Sequence, residues 1–140
     1  MLYFSYGSNM SSRRLLERVS SAHFITVATL YCHELRCHKV GRDGSGKCDA
    51  FETGERNHSV IGAVFDISAS EKPCLDEKEG LGRGYEKKMV SLLAADGRPI
   101  EAVTYYATII DPSLKPFHWY KLHVLTGAVE HGLPQDYIEL

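Results

Sequence analysis

The stretch YEKKMVSLLAADGRPIEAVTYYAT, Tyr85 to Thr108, holds two runs of apolar and β-branched residues, Tyr85 to Ala95 and Ile100 to Thr108. Between them stands Asp96-Gly97, a pair suited to the tight turn of a β-hairpin. Two strands joined without a helix are antiparallel neighbours, and that excludes an all-parallel α/β architecture. Working back, Gly80, Gly82 and Gly84 end a helix opened by Ser68 and Glu71, whose spacing is that of a capping box. Pro73 requires that this helix start late. Val60 to Ile67 reads as a strand and Val40 to His58 as a polar, glycine-dotted loop or irregular hairpin. Phe24 to Leu35 reads as one strand, Met10 to Val19 as a helix with Ser8, Asn9, Ser11 or Ser12 as its cap, and Leu2 to Tyr6 as a short buried strand. Working forward, Pro116 opens a last helix with Phe117, Tyr120, Val124, Leu125, Ala128 and Val129 along one stripe and Gly132 as its cap. Five or six strands and about three helices, with strands adjacent in sequence, predict an α+β fold. The expected form is a small antiparallel-rich, barrel-like sheet with peripheral helices, occupying residues 1–140 as a single domain.

Composition narrows the partners. With 44% hydrophobic and 24% charged residues the chain is an ordinary globular one, so disorder is not expected. A net charge of −2 gives no electrostatic reason for nucleic acid or an anionic membrane as partner. Four cysteines, irregularly spaced, do not form a disulfide framework and read as reduced thiols. Neither a signal peptide nor a run near the ~18–20 apolar residues of a membrane span is visible, and a cytoplasmic location is expected. The apolar stripe of the last helix suits the core or a homodimer interface equally.

Three segments carry chemistry. The turn Tyr6-Gly7-Ser8-Asn9 ends a strand and begins a helix, so its amides are donors at the positive end of the helix dipole, fit for a carboxylate or an oxyanion. An ordinary capped turn has the same sequence signature. In Leu75-Asp76-Glu77-Lys78-Glu79-Gly80, Glu79 lies closest to the negative helix end and follows Leu75 by four. Lys78 follows Cys74 by four, so spacing alone allows either Glu79 or Lys78 to face inward. An inward Glu79 would have a raised pKa, as a proton shuttle needs. The third segment contains Cys32-His33, Cys37-His38 and Cys48. On one strand Cys32 and Cys37 would point to opposite faces, so core-filling thiols are expected and no metal. Gly80-x-Gly82-x-Gly84 lacks both the preceding strand and the further glycine of a dinucleotide loop, so no nucleotide cofactor is expected.

The order of these motifs resembles the γ-glutamylcyclotransferase family. An early strand ending in Tyr6-Gly7-Ser8-Asn9 is followed some seventy residues on by Leu75-Asp76-Glu77-x-Glu79-Gly80. Tyr120-Lys121, Gly127-Ala128, Gly132-Leu133-Pro134 and Tyr137 then extend the likeness over nearly the whole chain. The resemblance implies a mixed α/β barrel-like fold and a cofactor-free, metal-free cyclisation of a γ-glutamyl compound to 5-oxoproline, with release of an amine or amino acid. It implies Glu79 as catalytic acid/base, Tyr6, Gly7, Ser8 and Asn9 as the substrate-binding loop, and Tyr85 and Tyr120 as pocket tyrosines. Departures occur at Ile109-Ile110, where relatives acting on free γ-glutamyl amino acids tend to place a tyrosine, across His38 to His58, and in the end at Leu140. These regions bear on the leaving group. Three alternatives accompany this reading: the same cyclisation acting on a biosynthetic γ-glutamyl amine, a non-catalytic small-molecule-binding or interaction module on the same fold, and a cysteine hydrolase using Cys74 or Cys32.

Overall fold

A computed structural model describes residues 1–138; the last two positions of the expected domain, 139 and 140, lie outside the described residues. The hairpin that decides the fold class is formed by β6 (Tyr85–Ala94) and β7 (Pro99–Ala107), paired antiparallel from Tyr85 with Ala107 to Leu93 with Pro99. Together with β1 (Leu2–Ser5), β2 (His23–Tyr31) and β5 (Ser59–Asp66) they close a five-stranded barrel in the order β1-β5-β2-β6-β7. A parallel contact between β1 and β7, at Tyr3 and Val103, makes the closure. The other barrel pairings are antiparallel, as the sequence predicts.

β1 is buried on both faces, which is why it reads as an unbroken apolar run. Tyr3 packs in one apolar cluster with Met10, Leu15, Phe65, Leu75 and Tyr105. Phe4 packs in a second cluster with Tyr6, Val64, Leu92 and Tyr120. The first cluster is where helix α1 (Ser12–Arg18) and helix α2 (Lys72–Glu79) dock, through Leu15 and Leu75, both fully buried.

Four expectations require correction. The single strand Phe24 to Leu35 is two strands: β2 ends at Tyr31 and β3 (His33–Val40) begins after Cys32, which takes a positive φ of 64°. That residue turns the chain out of the barrel and into a separate two-stranded ribbon. The polar stretch after Val40 supplies the partner strand β4 (Gly46–Glu52), whose alternation is obscured by Lys47 and Asp49. The capping box does not form: Ser68 Oγ bonds Ser70 Oγ at 2.8 Å, and Glu71 instead accepts from the amides of Ser20 and Ser21, both at 3.1 Å. A 3-10 turn over Ala69–Glu71 precedes α2, so Pro73 falls at the start of the α-helix as required. Finally, α3 (His118–Glu130) starts two residues after Pro116. It buries Tyr120, Gly127 and Ala128, while Phe117, Leu125 and Val129 of the expected stripe are exposed. Gly132 follows the cap residue His131, and a short helix α4 (Gln135–Ile138), not foreseen in the sequence, comes after it. Among the described residues no helix is long and apolar enough to cross a membrane.

Candidate active site

The turn after β1 is shaped by lack of space. Gly7 has a negative φ of −116°, so it is not there to reach a left-handed conformation. A Cβ at this position would lie 3.2 Å from Cys48 Cβ and 3.3 Å from the Tyr120 hydroxyl. Ser8–Met10 then form one 3-10 turn, closed by Met10 N–H donating to Gly7 O at 3.1 Å. Ser11 Oγ caps α1, accepting from Arg14 N–H at 3.5 Å. Among the described residues none accepts a hydrogen bond from the amides of Gly7, Ser8 or Asn9. Those donors are therefore available at the head of the turn.

Glu79 is the last residue of α2, and Gly80, at φ 75°, ends the helix in the left-handed conformation that glycine adopts without strain. Leu75 is fully buried, and Cys74 and Lys78 are exposed, so the inward face of α2 carries Glu79. Only 17% of the Glu79 side chain is accessible. Its Oε1 accepts from Asn9 Nδ2 and faces Arg18 Nη1 at 3.5 Å. Asn9 links the group further: its Oδ1 accepts from Arg18 at 3.2 Å, and its amide also donates to the Tyr3 hydroxyl at 3.2 Å. Burial raises the Glu79 pKa above the usual carboxylate range, with Arg18, the Asn9 hydrogen bond, Arg14 and Lys39 opposing it. Desolvation outweighs all four.

Glu79 and the turn line one pocket of about 320 Å³ counting its mouth, together with Tyr6, Tyr85 and Tyr120. Tyr6 donates to Tyr105 O at 2.5 Å and Tyr85 to Cys48 O at 2.6 Å, while Tyr120 Oη accepts from Cys48 N–H at 3.0 Å. Burial pushes all three phenols well above their ordinary pKa, so they stay neutral. Every residue singled out in the sequence for the site thus borders one cavity. Ser8 contributes differently from expectation, its Oγ accepting from Arg14 Nε at 3.2 Å, and Asn9 reaches Glu79 by its side chain. The neighbouring carboxylate Asp76 is taken up structurally by Lys72 and by the Tyr105 hydroxyl, and Glu77 is exposed.

Sequence reasoning missed Arg18, Tyr3, Ser5, Thr104, Tyr105 and Cys48 as wall or neighbour residues. Arg14 and Arg18 carried a usable signal, being four apart and so on one side of α1. Cys48 carried none, since it lay in a segment read as a loop or irregular hairpin. Cys74 is exposed on α2 and Cys32 sits at the turn out of the barrel, and neither borders the pocket. No group of three or more metal-binding side chains occurs among the described residues.

The comparisons with known proteins agree with one another. The AIG2-like family matches over residues 59–140. The γ-glutamylcyclotransferases of Mus musculus and Homo sapiens are each 33% identical to the chain, over 99% of it and 75% of their own length. A solved structure described as a gamma-glutamyl cyclotransferase superposes with a TM-score of 0.92 at 31% identity, covering 99% of this chain and 84% of that one. Likeness in sequence and likeness in fold run over the same residues, the pocket included, and the chain belongs to the AIG2-like family, among its γ-glutamylcyclotransferase-type enzymes.

Proposed function

We propose that the protein converts a γ-glutamyl compound to 5-oxoproline and a free amine or amino acid, with Glu79 moving the protons. The observation that carries this reading is a buried carboxylate of raised pKa sharing one pocket with the unpaired amides of Gly7, Ser8 and Asn9. The substrate brings its own nucleophile. Its α-amino nitrogen attacks the γ-carbonyl within the same molecule, so proximity already favours ring closure.

Glu79 as carboxylate removes a proton from the α-ammonium. The nitrogen adds to the carbonyl, and the oxyanion is stabilised by main-chain N–H donors of the turn. The protonated Glu79 then delivers its proton to the departing nitrogen as the C–N bond breaks, and the second proton of the ring nitrogen passes to the released amine, which leaves as an ammonium. One group thus serves both transfers, and the raised pKa brings it nearer the range where giving and taking a proton are balanced. The neutral hydroxyls of Tyr6, Tyr85 and Tyr120 border the space for the glutamyl group, and Arg18 tempers the rise in the Glu79 pKa. A binding-only module would have little use for such a carboxylate.

Incubation with γ-glutamyl dipeptides and γ-glutamyl amines should release 5-oxoproline, detected by mass spectrometry. Glu79→Gln should cut turnover by ~10²–10⁴ while circular dichroism stays unchanged. A variant with full activity would refute the shuttle. If the natural sequence turns over no γ-glutamyl compound, the reading gives way to a binding module.

A further inference from the structure

Two thiols lie in contact behind the pocket. Cys37 on β3 and Cys48 on β4 have sulfur atoms 3.9 Å apart. The ribbon register shifts between Arg36–Asp49 and Lys39–Lys47, so Cys37 and His38 together face Cys48 across a bulge. Cys37 is partly exposed and Cys48 is buried. The Cys37 thiol is lowered to about 7, chiefly by the hydrogen bond from Cys48, against burial and with help from Lys121. Cys48 is pushed the other way. The partly exposed member of lower pKa is the one suited to attack, and its buried neighbour is placed to resolve.

Cys48 is also part of the pocket wall. Its N–H and its C=O are both held by pocket tyrosines, Tyr120 and Tyr85, and its Cβ crowds Gly7. We propose that Cys37 and Cys48 are an oxidisable dithiol, a modification site for small-molecule disulfides, whose closure distorts the pocket. The Cys37 thiolate attacks one sulfur of a disulfide, forming a mixed disulfide and releasing one thiolate, which takes up a proton. Cys48 loses its proton and attacks the Cys37 sulfur, expelling the second thiolate. Two protein thiols are oxidised, and the disulfide is reduced to two thiols. An S–S bond requires the sulfurs to close by about 2 Å, and any part of that closure taken up by the Cys48 backbone moves its bonds to Tyr85 and Tyr120. The effect on turnover rests on the proposed cyclotransferase reading; the bond itself does not.

The test treats the full chain with oxidised glutathione and, separately, with hydroxyethyl disulfide. Both should give a protein lighter by two hydrogens per internal bond, whatever mixed disulfides form elsewhere, with Cys37 and Cys48 joined in the non-reduced peptide map. Turnover of a γ-glutamyl dipeptide should fall by about 10²-fold, as for an ångström-scale displacement of a pocket group. It should recover on reduction with dithiothreitol. Cys37→Ser should keep the turnover of the reduced protein and lose both the cross-link and the sensitivity. Cys37 and Cys48 remaining free after Cys32 and Cys74 have reacted would overturn the dithiol. A mapped bond with unchanged turnover would overturn its coupling to the pocket. In a protein that turns over nothing the map still decides the dithiol, and only the cyclotransferase reading fails.

Discussion

Asn9 touches Glu79, Arg18 and Tyr3 at once, and the ionisation of Glu79 is decided by how these contacts balance its burial. Arg18 is the strongest influence favouring the carboxylate. Removing its charge should therefore raise the Glu79 pKa further. Because the proposed shuttle begins as a carboxylate, the acid limb of the pH profile of kcat/KM should move to higher pH in Arg18→Met. Arg18→Lys, which keeps the charge, should move it less. A limb that stays fixed, or moves down, would show that another group controls it. None of this balance was legible in the sequence. Leu75 and Cys74 offered equal support for Glu79 or Lys78 facing inward, and the choice is made by packing: Leu75 enters the core between α2 and the barrel, and Cys74 does not.

At the scale of elements, the turn Ser8–Met10 is held in place from outside by α3. A Cβ on Gly127 would come within 2.5 Å of Met10 C, Met10 Cβ and Ser11 N, so the helix presses directly on the backbone of the turn. His131, just past the end of the helix, adds a hydrogen bond to Met10 O at 2.7 Å. In an exposed helix Gly→Ala is stabilising by about 1 kcal/mol. Here it should instead destabilise by about 1–3 kcal/mol through overpacking and lower kcat/KM by shifting the amides of Gly7 to Asn9. Denaturant midpoints and steady-state kinetics of Gly127→Ala check both parts; a variant more stable than the natural chain would refute the packing argument. Elements whose pattern is local were readable. The β6–β7 hairpin follows from Asp96-Gly97, and the late start of α2 follows from Pro73. Elements set by distant partners were not. The break at Cys32 depends on bonds from its backbone to His58, Thr53 and Gly54. The strand character of β4 depends on β3 and on Asp49, which accepts from Ala107 N–H at 2.8 Å and bonds His38 at 2.6 Å. The stripe of α3 suited core and interface equally in the sequence because apolar spacing does not say which side the barrel lies on.

For the whole molecule, a carboxylate lodged where β1, α1 and α2 meet costs folding stability at neutral pH. The pKa of Glu79 is raised on folding, so across the window between its unfolded and folded values the native state binds more protons than the unfolded state. Stability from this group is fully present below the unfolded pKa and is lost as pH rises through the folded one. Gln at this position can still accept the Asn9 hydrogen bond and carries no charge to desolvate. Glu79→Gln should therefore gain on the natural chain in Tm as pH rises from the ordinary carboxylate range, and the gain should level off once Glu79 is ionised in both states. Thermal unfolding of the two proteins across that range measures the difference directly. A difference independent of pH would mean that the folded and unfolded pKa values coincide. A natural chain that gains on the variant with rising pH would mean that Arg18, Arg14 and Lys39 outweigh burial. Either result would remove the physical basis for a shuttle poised above the usual carboxylate range.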